Sequence, residues 1–94
     1  MSLLLVSSIQ DMSVYSKDML RIGKVKDLEI DDEMKVTYLI LELERGATKE
    51  LFDKMIAIHH GKGKVGPAAI EKIGKDAVIL KQPMTELKGV IEKL

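Results

Sequence analysis

The segment 20–43 constrains the fold of this chain most, because it reads as two apolar strands joined by an acidic turn. Leu20 and Ile22 alternate with a polar neighbour at the two-residue period of a half-buried strand. Gly23 breaks this phase, so we expect the strand to bend or bulge there and again at positions 26–27. Such bends suit a small closed barrel better than a flat sheet.

The second strand of this segment, which follows the acidic turn 31–33, is apolar on both faces in its first half. Leucines at alternating positions within 39–43 predict one face that is buried in a core. The other face carries three further apolar residues: Val36, Tyr38 and Ile40. In a lone small barrel this second face would meet water, so we expect the C-terminal segment or a second copy of the chain to cover it. The sequence leaves both alternatives open.

Shorter strands are predicted on either side of this segment. Residues 11–16 predict one strand, and the apolar run within 3–8 predicts a second strand at an edge. Downstream, 55–58 is a short apolar run that leads into a glycine-rich hairpin tip at 59–63. The apolar residues 77–80 predict the last strand. The fold class is therefore expected to be mainly β.

Helical structure is predicted in short pieces only. Pro67 opens, and Gly74 ends, a short helical turn near 67–73. Apolar residues recur at helical spacing over 83–94, which predicts an amphipathic C-terminal helix of about three turns. Residues 46–53 read either as one capped turn or as a loop at the mouth of the barrel.

Length, charge and composition limit the functions open to the chain. Its 94 residues form one domain, 1–94, whose modest core buries about 60 to 65% of the unfolded surface. The 15 basic and 15 acidic residues cancel, which removes the broad positive field that nucleic-acid or anionic-membrane binding requires. Cysteine is absent, which excludes disulfides and thiolate metal sites and fits the cytoplasm. The apolar run 3–6 is too short to enter a membrane, so we expect a complete cytoplasmic protein without direct membrane insertion.

Two blocks of sequence, in this order and separation, resemble the PRC-barrel family. Residues 22–31 are similar to the glycine-lysine-valine strand of that family, followed by an acidic turn and an apolar strand. Residues 65–80 are similar to its proline-started turn, isoleucine and closing strand. The resemblance covers most of 14–80 and implies a small PRC-type β-barrel, with an N-terminal strand or arm at 1–13 and the C-terminal helix outside the match.

The resemblance also implies a non-enzymatic scaffold, an inference from the family rather than from chemistry. Single-domain members of this size are mostly archaeal, and some are adaptors in FtsZ-based cell division that bind the membrane-anchored protein SepF and one another. We therefore expect a homodimer or a paralogue heterodimer, a SepF-like partner and recruitment to the division site. The alternative is an RNA- or ribosome-associated module similar to the C-terminal barrel of the ribosome-maturation factor RimM, which rests on the basic segment 54–64.

Two apolar groups are the candidate protein interface. The N-terminal run offers a strand that can add to a partner's sheet, and the second face of the 36–43 strand offers an apolar docking surface. The candidate interface residues are Leu3, Leu4, Leu5, Val6, Val36, Tyr38 and Ile40. Use of the N-terminal run in the core of a single chain is an equally good reading of the same pattern.

No motif in the sequence predicts catalysis, a cofactor or a metal. His59 and His60 would point to opposite faces of a strand and so could not easily share one ion. The segment 61–64 lacks the spacing of a phosphate-binding loop, and the acids within 27–33 lack that of a calcium loop. No serine has a neighbouring base that could activate it. We expect no enzyme, no metal, no cofactor and no nucleic-acid partner.

Overall fold

A computed structural model of the chain describes residues 6–44, 46–47 and 61–93, with the backbone alone at positions 6 and 7. Four predictions therefore lie outside the described residues, in whole or in part. These are the strand at 55–58, the histidine pair 59–60, the turn or loop within 46–53 and the apolar run 3–6.

The described chain is mainly β, as predicted, and forms one seven-stranded sheet that curves into a half-barrel. Its elements in chain order are α1 (Val6–Ile9), β1 (Ser13–Tyr15), β2 (Arg21–Ile30), β3 (Val36–Leu43), β4 (Lys62–Val65), a 3₁₀ helix (Pro67–Ala69), β5 (Ile70–Ile73), β6 (Ala77–Leu80), a second 3₁₀ helix (Met84–Gly89) and β7 (Glu92–Lys93). The strand order across the sheet is β5-β6-β1-β2-β3-β4-β7. β1 and β6 run parallel, and all other neighbours run antiparallel.

The core lies on the inner face of this curved sheet. Each central strand contributes side chains that are fully or almost fully buried: Val14, Ile22, Val25, Leu39, Leu41, Leu43, Val65, Val78 and Leu80. The second 3₁₀ helix adds Leu87, and Ile91 follows it. Burial of each such aliphatic side chain contributes about 1.5 to 3 kcal/mol. The predicted leucine face of 39–43 is therefore confirmed as core.

Both predicted irregularities of β2 are present. Lys26 is an extra residue opposite β3, and Ile22 is an extra residue opposite β1, next to Gly23. A Cβ atom on Gly23 would lie 2.1 Å from the carbonyl oxygen of Glu42, so only glycine lets the β3 backbone approach this closely. The bulges bend β2 around the core, which the alternation of a flat strand could not do.

The predicted helical turn near 67–73 is wrong in its second half. The 3₁₀ helix ends at Ala69, and Ile70–Ile73 is the edge strand β5, paired with β6. Glu71 is an extra residue in this pairing. Because a bulge adds one residue, two isoleucines three positions apart can both pack against the core from a strand, which imitates helical spacing.

The predicted C-terminal helix of 83–94 is also wrong in length and type. A 3₁₀ helix covers Met84–Gly89 only, and β7 then pairs with β4. Leu87 and Ile91 face the core as predicted for helical spacing, but Gly89 lies where a regular helix is weakened. Pairing with the open edge of β4 supplies backbone hydrogen bonds that a longer helix would otherwise make.

Two further predictions, for the segments that precede β1 and β4, are wrong in part. The last residues of the predicted 3–8 strand belong to α1, Val6–Ile9, because this segment turns before β1. The glycine-rich tip predicted at 59–63 is, from Lys62 on, strand β4. Gly63 lies inside that strand, where the packing of Ile91 favours glycine, because a Cβ at position 63 would lie 2.6 Å from Cγ2 of Ile91. The strands predicted at 11–16 and 77–80 are confirmed as β1 and β6.

Candidate protein interface

β2 and β3 extend past the strands that flank them. β1 pairs with β2 only as far as Lys24, and β4 pairs with β3 only as far as Leu39. Beyond these points the two strands pair with each other up to Ile30 and Val36. We call residues 26–38 the ribbon, and within the described chain no third strand pairs with it. A two-stranded hairpin by itself is only marginally stable in water, so the ribbon depends on the barrel that carries it.

The ribbon ends in a tight turn held by one aspartate. Oδ1 of Asp31 accepts the N–H of Glu33 at 2.9 Å and the N–H of Lys35 at 3.0 Å. The backbone closes the turn by hydrogen bonds from Asp31 N–H to the Lys35 carbonyl and from Met34 N–H to the Asp31 carbonyl. Met34 has a φ of 66°, a left-handed conformation that glycine or asparagine favours in such three-residue loops. Met34 therefore adopts a left-handed backbone conformation that is unfavourable for methionine.

Three apolar side chains are exposed together at the end of the ribbon. Ile30 is 49% exposed, Met34 is 77% exposed and Val36 is 40% exposed. We call these three residues the apolar tip. Leu28, which lies two residues before Ile30 and closer to the barrel, is half-buried and packs against the core. The apolar stripe of β2 thus begins in the core and continues into solvent.

The ribbon is also acidic, although the whole chain has a formal charge of zero. It contains five carboxylates and two lysines, a net charge of −3 at pH 7. One lysine, Lys35, lies 3.4 Å from Glu33 Oε2 in an exposed ion pair. The rest of the chain must carry the balancing positive charge, so the ribbon differs in sign from the body that carries it.

The predicted interface residues fall into three groups. Leu3, Leu4 and Leu5 lie outside the described residues, and Val6 begins α1 with its side chain also outside them. Val36 belongs to the apolar tip.

The remaining two, Tyr38 and Ile40, lie half-buried on the outer face of β3. A bulge at Thr37 separates them from Val36, because Glu29 pairs with Tyr38 while the next pair is Ile30 with Val36. The predicted single apolar face is therefore divided into two surfaces.

A side chain of β4 covers part of the outer face of β3. The ammonium of Lys64 lies 4.3 Å from the centre of the Tyr38 ring. The same ammonium is 3.7 Å from Oε2 of Glu92 in β7. The cation–π contact places the Lys64 side chain of β4 over Tyr38, and Glu92 of β7 pairs with that lysine. The apolar tip has no comparable contact among the described residues.

On the barrel side, Asp18 ties the β1–β2 turn to the C-terminal segment. Its carboxylate accepts a hydrogen bond from the buried hydroxyl of Ser16 and another, at 3.2 Å, from the backbone N–H of Met84. The Ser16 hydrogen bond holds the pKa of Asp18 below its ordinary value of 3.8, with a smaller contribution from Met84. The contact joins two parts of the barrel that are distant in sequence, and within the described residues no group of potential metal ligands adjoins it.

Neither a cluster of metal ligands nor a membrane-spanning helix is present among the described residues. No group of three or more histidine, cysteine, aspartate or glutamate side chains is arranged to hold a metal there. Among these same residues, no helix has the length and hydrophobicity that a bilayer span requires. The acidic turn, which lacks the spacing of a calcium loop in the sequence, is closed by the carboxylate of its own Asp31.

Sequence reasoning missed Ile30 and Met34 as interface candidates. In the sequence, Ile30 is the last apolar residue before the acidic turn 31–33, and Met34 directly follows that turn. One signal was available: a three-residue hairpin loop with methionine in place of glycine or asparagine departs from the usual turn residues. A residue that departs from the local turn preference in this way is a candidate for a functional contact.

Comparison with known proteins gives one family. The model of the PRC-barrel domain matches residues 1–87 and so extends past both ends of the 14–80 resemblance seen in the sequence. None of the curated proteins compared matches the chain.

Proposed function

The chain belongs to the PRC-barrel domain family, and on that premise we propose that it is a non-enzymatic module for protein–protein interaction. The family is non-catalytic, which supports binding over a reaction. More specifically, we propose a homodimeric adaptor, or a heterodimer with a paralogue, in archaeal FtsZ- and SepF-based cell division. Such an adaptor would work in the cytoplasm and be recruited to the division site.

The exposed apolar tip is the observation that carries the binding role. Ile30, Met34 and Val36 contribute little to the core, and Met34 holds an unfavourable backbone conformation. Transfer of such side chains from water into a partner's surface would contribute about 1 to 2 kcal/mol each. A chain selected for folding alone gains nothing from this arrangement, whereas a binding module does.

The dimer is tested by light scattering coupled to size-exclusion chromatography. The expected result is twice the monomer mass at micromolar concentration. Support for a dimer comes from the apolar outer face, where Ile40 is only half-buried. A monomer at that concentration would reject the homodimer, and mixing with the paralogue would then test the heterodimer.

The division role is tested by capture of purified SepF on the immobilised chain. The variant Ile30→Asp places a charge in the apolar tip and should abolish capture. Leu20→Asp is its matched control, because Leu20 is also 49% exposed but lies just before β2, at the end away from the ribbon. Capture that both variants retain would remove the apolar tip as the contact. Absence of capture by the unmodified chain would reject the SepF partner.

The RNA- or ribosome-associated alternative gains no favourable observation from the described residues, so we do not propose it. Of its basic segment, only 61–64 is described, and Lys64 is engaged by Tyr38 and Glu92. The ribbon is acidic and would repel phosphate. Filter binding over a salt series decides the matter, because phosphate contacts weaken steeply with salt.

A further inference from the structure

Among residues 6–44, 46–47 and 61–93, no strand pairs with the backbone edge of the ribbon on the side where β1 ends. The last contacts on that side are hydrogen bonds from Val25 N–H to the Met12 carbonyl and from Asp11 N–H to the Val25 carbonyl. Residues 27–30 continue the strand without a β1 partner. A strand edge of this kind is where an extended peptide can add to a sheet.

The pairing with β3 determines which residues face this edge. Asp31 N–H bonds to the Lys35 carbonyl, and the Glu29 carbonyl accepts a hydrogen bond from Oγ1 of Thr37 in β3, so the backbone groups of these two residues point toward β3. Since hydrogen-bonding direction alternates along an antiparallel strand, the backbone groups of Leu28 and Ile30 point to the open edge. Consistent with this, the N–H of Leu28 donates at 2.8 Å to Oδ1 of Asp27, which takes the place of a neighbouring strand.

Side chains along this edge alternate in chemistry as well as in direction. Leu28 packs against the core, and Ile30 follows it on the same face, two residues further along. Asp27 and Glu29 lie on the opposite face and are exposed. A strand added here would meet aliphatic side chains on one face and carboxylates on the other.

We propose that the open edge of β2 at 27–30 binds an extended segment of a partner protein in which aliphatic residues alternate with lysine or arginine. The aliphatic residues pack beside Leu28 and Ile30, and the cations pair with Asp27 and Glu29. The backbone of the segment takes over the Leu28 N–H, which frees the Asp27 carboxylate for a cation. The charge of −3 on the ribbon favours such a partner at long range.

A second copy of the chain fits this edge less well. Antiparallel pairing of two such edges would bring Asp27 and Glu29 of both copies onto one face, where like charges repel. This inference rests on the proposed role as an interaction module, and it assigns the partner's chemistry without requiring SepF or a dimer.

The test is fluorescence anisotropy with a labelled peptide of alternating lysine and valine. A peptide of the same composition with its lysines and valines in two blocks is the control for alternation. A third peptide, N-methylated at every second residue on the pairing side, cannot form the backbone hydrogen bonds. We expect the alternating peptide to bind and both others to bind at least about tenfold more weakly. Strand addition needs alternating side-chain contacts, which the block peptide lacks, and backbone hydrogen bonds, which the N-methylated peptide cannot form.

Charge reversal supplies the matched protein variants. Glu29→Lys should lower the affinity for the lysine–valine peptide by at least about tenfold and raise the affinity for a glutamate–valine peptide. Glu86→Lys makes the same charge change on the exposed face of the second 3₁₀ helix and should leave both affinities within about twofold. Melting curves of both variants verify the fold.

Three results would overturn the inference. The first is absence of alternating-peptide binding up to about 1 mM, a weak-affinity limit. The second is an affinity that N-methylation does not change. The third is a homodimer that Glu29→Lys strengthens while the peptide does not bind, which would assign the edge to a second copy because the substitution removes like-charge repulsion there. These results leave the proposed function standing if SepF is captured. Conversely, peptide binding without SepF capture would reject the division role and retain the edge.

Discussion

β2 and β3 are each divided between two environments, and the two halves behave differently despite similar sequence patterns. In the barrel half, Ile22, Val25 and Leu41 are completely buried. In the ribbon half, Ile30 and Val36 are nearly half exposed. The difference lies in the neighbours, because β1 and β4 flank only the barrel half. Apolar alternation therefore predicts that two strands pair, whereas burial depends on how far other elements reach.

The largest effect is expected where the barrel halves of β2 and β3 come closest. Gly23→Ala should lower the free energy of unfolding by about 3 kcal/mol or more, because the new Cβ would collide with the Glu42 carbonyl. Gly89→Ala is the control, since no atom lies within 4 Å of the added Cβ, and it should be neutral or slightly stabilising. Urea denaturation measures both. Equal effects would show that the close approach of the strands is not what requires glycine.

The next effect compares buried and exposed apolar residues on the same pair of strands. Leu41→Ala should destabilise the barrel by about 2 to 5 kcal/mol through lost burial and a cavity. Ile30→Ala should cost about 1 kcal/mol or less, because half of its side chain already meets water. A loss for Ile30→Ala as large as that for Leu41→Ala would mean that the ribbon belongs to the folded core.

A smaller effect is expected in the turn of the ribbon. Met34→Gly should raise the free energy of unfolding by up to about 1 kcal/mol, because glycine accepts a φ of 66° without steric penalty. Met34→Ala keeps the penalty and should give no such gain. If the two variants are equally stable, the backbone conformation of Met34 is not unfavourable, and one argument for a binding role is lost.

The smallest effect concerns the Asp18 contact of the barrel. Since folding lowers the pKa of Asp18, its hydrogen bonds stabilise the fold fully above about pH 4 and lose this contribution as the pH falls through the lowered pKa. The melting temperature of the unmodified chain should therefore fall more steeply below pH 4 than that of Asp18→Asn. Parallel curves would show that the carboxylate does not titrate differently on folding.

The sequence predicted that β2 and β3 pair with each other, but not how far the neighbouring strands cover them. The bends of β2 followed from Gly23 and the broken alternation, and the 77–80 strand followed from a plain apolar run. The strand Ile70–Ile73 was missed because a bulge gave two isoleucines the spacing of a helix.

The candidate interface was only partly predictable for a related reason. Val36 was identified by its apolar character, but the bulge at Thr37 that divides it from Tyr38 has no strong residue signature. The length of β1 and β4, which leaves the ribbon open, depends on where distant segments turn. Such long-range limits are not encoded in the pattern of β2 and β3 themselves.

Residue-resolved amide hydrogen exchange, with and without the alternating lysine–valine peptide, tests the central claim most directly. In the free chain the amide of Val25 should exchange slowly, and that of Ile30, at the open edge, much faster. Addition of the peptide should slow exchange at Leu28 and Ile30 and leave Val25 unchanged. Slow exchange at Ile30 in the free chain would contradict the claim that this edge of the ribbon is unpaired. No change on adding the peptide would contradict the claim that the edge binds a partner strand.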